Sequence, residues 1–508
     1  METPMPPSSR HRRPVRPRAR LLPAVGLAVA LAGGIADDGK PPDDPPPDHP
    51  APLRLEAVMA CVTTQYPPYL AALIERDIAA GRLQGAEGTF DLKAFARVFG
   101  NPAGYYQPVT LDAGLEQFLG IWGATIYGGY RLTEGELPDY YRRRTEGGGN
   151  PRLGLKIPLL QDGSIDYRRA AVLKARLDQE LADPAIQRQQ LDFIRAGTVA
   201  YFKWLAAGRR LILAEELLRV ARDRQEAIES QVERGLSPRI TLTENRQLVV
   251  SRELKAVKAR QDFAGAALAL SLFHRDHRDD PVVPTRDQLP DTFPEITPVE
   301  GDLPEASLQR ALEQRPEIRQ LELALEKLGV DLRLARNQLL PRLDAGLEAN
   351  QGLGEERYPD RGEFELKLGV EFSMPLQRRE ARGQVAETSA RIEQLTYRAA
   401  FARERILAEV RNARISLVAA YEQLERANLN ARLALELQAV EQDRFRLGAS
   451  DLLALQLREQ AAFQARLDQA DASEQYFVAQ ADLAAALGAR PATSPDDGQA
   501  PRGGPSVE

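Results

Sequence analysis

The segment EFELKLGVEFSMPL, residues 363–376, constrains the fold more than any other part of the chain. Its apolar side chains alternate strictly with charged residues or glycine, which places all of them on one face of a strand. After Pro375 the apolar period changes to that of a helix and continues for roughly 70 residues, about 105 Å of helix. Any fold of this chain must therefore let a two-faced strand continue into a very long helix.

The same junction occurs earlier in the chain, in residues 152–159 (RLGLKIPL), which alternate in the same way and end at Pro158. Pro158 and Pro375 stand 217 residues apart. A second landmark repeats at nearly the same spacing, because the similar motifs RGLSPRITL and LGASDLLAL place Gly235 and Gly448 213 residues apart. Two landmarks in the same order indicate an internal duplication.

The composition limits the class of protein. The chain has 508 residues, with 67 Lys plus Arg against 73 Asp plus Glu, and this balance gives no reason to expect a nucleic-acid partner. A single cysteine excludes an intrachain disulfide framework and a multi-cysteine metal site. Aromatic residues make up only 6%, while Ala, Leu, Arg, Glu and Gln abound, which is typical of long helices and coiled coils.

Residues 1–36 are predicted to be a secretory signal peptide. Arginines crowd residues 10–20, and an apolar core follows at residues 21–32 that is too short to span a bilayer as a helix. Ala30 to Ala32 form an acceptable cleavage site. The alternative is a basic tail with an uncleaved anchor. Since no other apolar run approaches the length of a membrane-spanning helix, we expect a periplasmic, secreted or β-barrel membrane protein.

The domain plan follows from the duplication. We predict a Pro/Asp linker at 37–52, a first repeat at 53–273, an inter-repeat linker at 274–305, a second repeat at 306–488 and a disordered tail at 489–508. Strands are predicted near 89–99, 115–132 and 152–159 in the first repeat, and near 342–350 and 363–374 in the second. Each repeat ends in a helical hairpin, with its tip near 235 or 448.

Two segments of this plan depart from a regular helix or strand pattern. The helical stretch at residues 166–233 should be interrupted at Pro184, because proline lacks an amide donor. The strand near 115–132 alternates less regularly than the other four. It carries Trp122, Tyr127 and Tyr130, with Tyr140 and Tyr141 beyond. This cluster fits the aromatic girdle of a membrane barrel and fits a soluble sheet equally well.

Few residues suggest a catalytic, metal-binding or modification site. Cys61 follows Val58-Met59-Ala60, which resembles a lipoprotein cleavage box, but a buried helix thiol is the favoured interpretation. His274 and His277 could ligate a metal, but the pattern holds no further ligand, and a solvated loop is the favoured interpretation. With no Ser/His/Asp or Cys/His arrangement and no phosphate loop, we expect no enzyme, no cofactor and no metal site.

The four regular strands have about the length of a tilted membrane-crossing β-strand. Their charges would be costly in lipid and favourable in a water-filled lumen. Four strands cannot close a barrel, since about eight are needed, and lipid does not tolerate an open sheet edge. If the strands cross a membrane, several copies of the chain must therefore share one barrel, and the helices must project into water.

The chain resembles the TolC-like family of outer-membrane efflux proteins over about residues 53–488. The segments that carry the resemblance are GTFDL at 88–92, GATIYGGYRL at 123–132, LGLKIPLLQDGSIDYRRA at 153–170, RPEI at 315–318, ARNQLLPRLD at 335–344, VEFSMPL at 370–376 and RFRLGASDLLALQ at 444–456.

This resemblance implies a mainly α fold with β: a homotrimer with a shared membrane β-barrel of four strands per chain and a periplasmic α-barrel of long helical hairpins. It implies an outer-membrane protein extending into the periplasm, a passive exit duct of a tripartite efflux or type I secretion system. Its partners would be a periplasmic adaptor (membrane fusion) protein and an inner-membrane pump. The alternative is a periplasmic coiled-coil scaffold without a channel, which detergent dependence would distinguish.

The resemblance also assigns candidate site residues. The periplasmic aperture and the adaptor-docking surface would lie at the two hairpin tips, formed by Arg234, Gly235, Leu236, Ser237, Arg446, Leu447, Gly448, Ala449, Ser450 and Asp451. Many relatives place acidic residues just after the tip glycines. The corresponding positions here are Thr241, Ala454 and Leu457, which departs from that acidic pattern, although Asp451 and Glu244 lie close by.

Overall fold

A computed structural model describes residues 51–137, 144–299, 301, 303–355 and 363–489. Within these residues the chain is mainly helical, with a single antiparallel sheet and two long helical hairpins. The predicted fold class is therefore confirmed. The predicted signal peptide lies outside the described residues, as do most of the Pro/Asp linker and nearly all of the C-terminal tail.

The described residues form nine α-helices. Three short ones begin the chain: α1 (Leu55–Thr64), α2 (Pro67–Leu73) and α3 (Glu75–Glu87). The first hairpin is α4 (Tyr167–Glu233) with α5 (Arg239–Ser271). Two helices, α6 (Glu305–Gln314) and α7 (Pro316–Asn337), lie between the two hairpins in the sequence. The second hairpin is α8 (Arg379–Arg446) with α9 (Leu452–Ala486).

The sheet of the described residues has six strands. They are β1 (Lys93–Gly100), β2 (Val109–Phe118), β3 (Thr125–Glu134), β4 (Asn150–Pro158), β5 (Arg342–Gln351) and β6 (Phe364–Ser373). They lie in the order β1-β2-β3-β4-β5-β6, and every neighbouring pair is antiparallel. Each strand therefore runs opposite to its neighbours, and β4 and β6 run toward the helices they feed.

Within the described residues the sheet has six strands, two more than the four barrel strands per chain that the resemblance implies. The predicted strand near 115–132 is a hairpin, in which β2 and β3 are joined by residues 119–124. Trp122 and Gly123 have φ values of 53° and 64° there, in the left-handed region that permits a tight reversal. Hydrophobic alternation does not show such a turn; the sequence signals for it are Gly120 and Gly123, which flank Ile121 and Trp122.

The junction between β4 and α4 is fixed by polar contacts. The Asp166 carboxylate caps α4 by accepting hydrogen bonds from the backbone N–H groups of Arg168 and Arg169, at 2.8 and 3.0 Å. Asn337, at the end of α7, accepts from the Asp162 N–H at 2.7 Å and donates to Ser164 Oγ at 3.1 Å. The chain therefore leaves the sheet along one defined path. The helices that follow, α4 with 67 residues and α8 with 68, each extend about 100 Å.

The predicted interruption at Pro184 is wrong. Pro184 is buried inside α4, which continues through it. Proline removes one hydrogen bond, but most helix stability in proteins comes from packing along the helix. Here α4 packs against α3, α5, α7 and α9 along its length. The predicted first helix, in contrast, is divided into three, with Pro67 at the first position of α2.

The largest apolar core joins the short N-terminal helices to both hairpins. Trp204 of α4 is fully buried, Val58 of α1 packs in the same cluster, and the rings of Phe202 and Phe477 stack at 4.4 Å. The inter-repeat linker covers this core, because Tyr476 donates through its hydroxyl to the Thr297 carbonyl at 2.8 Å. Part of that linker is thus packed structure.

Cys61 and His274 meet at the edge of this core. The Cys61 thiol in α1 donates to the Arg275 carbonyl at 3.6 Å and lies 4.0 Å from His274 Nδ1. Burial lowers the pKa of His274 below its ordinary value, because it disfavours the charged imidazolium. His274 is therefore half-buried, in contrast to the predicted solvated loop. Among the described residues, no group of three or more His, Cys, Asp or Glu has the arrangement of a metal site.

A buried ion cluster joins three helices nearer the hairpin tips. The Glu459 carboxylate on α9 is 1% exposed and contacts Arg252 of α5 at 3.1 Å. Arg224 of α4 reaches the same carboxylate through both terminal nitrogens. Burial lowers the pKa of the Arg252 guanidinium, and the Glu459 charge opposes that shift. Arg252 also donates to the Leu217 carbonyl at 3.0 Å, so its charge is well satisfied.

We expect Glu459→Gln to destabilise the helical hairpins by roughly 3–5 kcal/mol, because it leaves two guanidinium groups without a buried counter-charge. Thermal unfolding of the purified protein, followed by circular dichroism, measures the effect. The control is Glu216→Gln, which removes an exposed pair with Arg466 (2.8 Å) and should cost under about 1 kcal/mol. Equal melting temperatures for the two variants would contradict the assigned role of Glu459.

Candidate functional site

The sheet has two chemically different faces. Register pairs such as Arg97 with Asp112 and Glu348 with Lys367 place charged residues of neighbouring strands on the same side. We call this side the polar face; its charged residues are Lys93, Arg97, Asp112, Glu116, Arg131, Arg152, Lys156, Arg342, Asp344, Glu348, Glu365, Lys367 and Glu371. Each of the six strands contributes at least one charged residue to it, which is compatible with the lining of an aqueous pore.

The charges of the polar face pair across strands. Asp112 on β2 is buried and accepts from Arg131 on β3 at 3.1 Å and from Arg152 on β4 at 2.5 Å. One carboxylate thus connects three strands. A shift of any one of these strands by one residue would move its charged side chain to the opposite face of the sheet. The contact therefore also fixes the register.

A second set of contacts connects the two halves of the chain. Tyr127 of β3 donates through its hydroxyl to Glu348 of β5 at 2.7 Å. Asp344 of β5 pairs with Lys156 of β4 at 3.0 Å and with Arg342 at 2.9 Å. The β4–β5 seam, which joins the first repeat to the second, is therefore held by ion pairs as well as by backbone hydrogen bonds.

The opposite side, which we call the apolar face, is exposed in the single chain. It includes Ala94, Ala96, Val98, Leu111, Leu115, Ile126, Tyr130, Leu153, Leu155, Leu347, Leu366, Leu368, Val370 and Phe372. Leu368 is 78% exposed. An apolar surface of this extent marks a contact with lipid or another protein.

The aromatic residues predicted as a possible girdle do not all lie on one face of the sheet. Tyr130 lies on the apolar face and Trp122 lies exposed in the β2–β3 turn, both compatible with a girdle. Tyr127 does not belong to a girdle, because it lies on the polar face and bonds Glu348. Tyr140 and Tyr141 lie outside the described residues.

The two hairpin tips have the same backbone geometry. Gly235 and Gly448 have φ values of 75° and 71°, in the left-handed region where a Cβ is strained. At the first tip Gly235 N–H bonds the Val232 carbonyl and Leu236 N–H bonds the Gln231 carbonyl; the second tip repeats these bonds from Gly448 and Ala449. This pair of bonds is the Schellman motif that ends a helix at a glycine.

Both tips lie at the same end of the helices. Arg224 precedes Gly235 by 11 residues and Glu459 follows Gly448 by the same number, and these two side chains are bonded. Each tip exposes a leucine: Leu236 is 71% exposed and Leu447 is 83% exposed.

The charged tip residues have local partners. Arg234 donates to the Ser230 carbonyl at 3.0 Å, Arg446 pairs with Asp443 at 3.1 Å, and Ser450 bonds the Glu441 carboxylate. Asp451 caps α9 by accepting from the Ala454 N–H at 2.7 Å. Its carboxylate therefore caps the helix end.

A family model described as outer membrane efflux protein matches residues 144–273 and 307–489, more than half of the chain. The chain belongs to the outer membrane efflux protein family. The matched residues contain β4 to β6 and both helical hairpins, but not β1, β2 and β3. The predicted family is thus confirmed, and it places this efflux protein at the outer membrane.

Solved structures of similar fold include three outer-membrane proteins. OprN, an outer-membrane channel, is 14% identical, with 86% of this chain and 90% of OprN covered and a TM-score of 0.64. VceC of Vibrio cholerae is 16% identical, with 86% and 96% covered and a TM-score of 0.62. The open state of the MtrE channel of Neisseria gonorrhoeae is 16% identical, with 86% and 89% covered and a TM-score of 0.63.

At these identities the likeness shows the shared fold. No curated protein matches the chain. Within the described residues, no helix of this efflux protein is both long enough and apolar enough to cross a bilayer.

Sequence reasoning missed β2 and its role in the polar face. Residues 109–116 alternate Val109, Leu111, Ala113 and Leu115 with polar residues or glycine, which is the period of a strand. This period places Asp112 on the same side as the other charges of the polar face. Its pairing with Arg131 and Arg152 could not be read from the sequence.

The two faces of β6 can be distinguished by labelling in a Cys61→Ser background. We expect Glu365→Cys, on the polar face, to react rapidly with a water-soluble, membrane-impermeant maleimide in the membrane-embedded protein. Leu366→Cys, the adjacent residue on the apolar face, should react slowly because lipid covers it. Equal rates, or faster reaction at 366, would contradict this assignment of water and lipid.

Proposed function

We propose that this efflux protein is the passive exit duct of a tripartite efflux or type I secretion system, working as a homotrimer. The observation that carries the proposal is the continuity of the chain: a sheet with one polar and one apolar face leads directly into two hairpins about 100 Å long. Such a molecule can join an outer-membrane pore to a periplasmic tube. No catalytic step is part of this function.

A single chain cannot form the pore. The six strands make an open sheet, and the apolar face and the two sheet edges both need partners in lipid. Several copies that share one barrel would place every polar face in the lumen and every apolar face against lipid. The trimer follows from the family resemblance, which also supplies the periplasmic adaptor and the inner-membrane pump as partners.

The hairpin tips are the proposed adaptor-docking surface and periplasmic aperture. Two matching turns lie at the same end of the helices, opposite to the sheet, and each presents an exposed leucine next to a glycine turn. The charged groups at the tips mostly bond within their own turn, yet they stay exposed, as Arg446 and Asp443 do, so each tip offers a partner a leucine surrounded by charge. Leu236 and Leu447 are the most exposed apolar side chains of the tips.

Fractionation tests the compartment and the assembly together. We expect the mature protein in the outer-membrane fraction, and after detergent extraction a native mass of three chains plus detergent. A periplasmic scaffold would instead be released without detergent. Recovery of a soluble monomer would refute both the pore and the trimer.

The docking role is tested by Gly448→Val. We expect export in cells to fall at least tenfold while the trimer remains, because valine strains the left-handed turn at the tip and leaves the distant sheet unchanged. Crosslinking of the adaptor to cysteines at positions 236 and 449 should fall in parallel.

The matched control is Gly383→Val, in α8 near the sheet, where the backbone is helical and no atom lies within 4 Å of an added Cβ. It should keep export and crosslinking. Gly448→Asn, which tolerates the left-handed conformation, should retain most export. If export and crosslinking both survive Gly448→Val, the tip is only a turn.

A further inference from the structure

The sheet has two strand edges that no described residue covers. One is the outer edge of β1, and the other is the outer edge of β6. Each presents backbone N–H and C=O groups that would lack hydrogen-bond partners in a bilayer, at a cost of several kcal/mol per group. Whatever assembly forms in the membrane must pair these two edges.

The strand count makes the two edges complementary in direction. Neighbouring strands alternate in direction, so with six strands β1 and β6 run antiparallel to each other. When β6 of one copy lies beside β1 of the next, the junction is antiparallel like every other pair in the sheet. Repeating one such junction by rotation closes a ring.

The side chains at the two edges are complementary as well. On the polar face β1 presents Arg97, and β6 presents Glu371. Within the described residues neither side chain has an ion-pair partner, in contrast to Asp112 or Asp344. On the apolar face Ala96 of β1 and Leu368 of β6 are both exposed. A junction that aligns the faces brings opposite charges together in the lumen.

The β1–β2 hairpin is an addition ahead of the duplicated plan. Without it, each repeat would supply one strand pair to one helical hairpin: β3 and β4 to α4, and β5 and β6 to α8. The hairpin enters and leaves the sheet at one place, because Gln117 Nε2 near the end of β2 donates to the Phe90 carbonyl just before β1 at 2.5 Å. The additional hairpin therefore moves the sheet edge from β3 to β1.

We propose that three copies of this chain close an 18-stranded barrel, in which β6 of each copy pairs with β1 of the next. This inference depends on the homotrimer proposed above and replaces the expected seam between β6 and β3. Because barrel diameter grows about linearly with strand number, the lumen is about one and a half times as wide as that of a 12-stranded barrel.

Disulfide crosslinking in the full-length, membrane-embedded protein tests the seam. In a Cys61→Ser background, Ala96→Cys on β1 is combined in turn with Leu368→Cys, Val370→Cys or Phe372→Cys on β6. An antiparallel register that pairs Arg97 with Glu371 places Ala96 opposite Phe372, and the other two positions test registers shifted by two and four residues. The matched control carries Ile126→Cys on β3 with the same three β6 cysteines. All of these positions lie on the apolar face, and copper phenanthroline serves as oxidant.

The geometry gives opposite expectations for the two series. Adjacent strands bring Cα atoms to about 5 Å, within disulfide range. In the proposed barrel β3 lies three strand spacings, about 14 Å, from the neighbouring β6, and the β3 and β6 strands of one chain are equally far apart. We expect at least one Ala96→Cys pair to give covalent trimers in denaturing gels, and no Ile126→Cys pair to do so.

The native mass of every variant distinguishes a failure of the 18-stranded barrel from a failure of the trimer. Crosslinks from Ile126→Cys but none from Ala96→Cys would overturn the proposal in favour of a 12-stranded barrel with the β1–β2 hairpin outside it. An intact trimer without crosslinks in either series would overturn it as well. A monomeric native mass would instead refute the trimer of the proposed function.

Discussion

The ion pairs of the polar face are the interactions on which the rest of the structure depends. Asp112 holds Arg131 and Arg152 across three strands, and Asp344 binds Lys156 across the seam between the repeats. These contacts fix the strand register, and the register fixes where β4 and β6 end. The ends of these strands determine where the two long helices leave the sheet. A different pairing would reverse the faces and displace both hairpins.

Farther along the helices, a buried ion cluster holds the two hairpins together. Glu459 binds Arg224 and Arg252 at a place equally distant from both glycine turns, and so ties the two hairpins together near their tips. Between the sheet and this cluster, the aromatic core around Trp204 packs the N-terminal helices and the inter-repeat linker onto the hairpins. The tips themselves carry few long-range contacts. This arrangement leaves an exposed, conformationally defined end that is suited to binding a partner.

Much of the fold could be predicted because its signals are local. The alternation of residues 363–374 indicates β6, and the glycines at 235 and 448 indicate the hairpin turns, which the structure has as Schellman motifs. The errors have local causes too. The turn at Trp122 is flanked by Gly120 and Gly123, a signal that apolar alternation does not take into account, and Pro184 is accommodated in α4 by packing that periodicity does not describe. The docking and aperture roles of the tip residues remain predictions, because these roles depend on a partner protein.

The sequence by itself determined the two-faced strands, the long helices and the two turns, since each depends on the spacing of residues within a few turns or strand positions of one another. Only the tertiary structure decided that six strands form one sheet, that β4 joins β5, and that Asp112 and Glu459 are each shared by two arginines. These features depend on side chains up to 235 positions apart in the chain, as with Arg224 and Glu459. Periodicity gives the face on which a charge lies, whereas folding selects its partner.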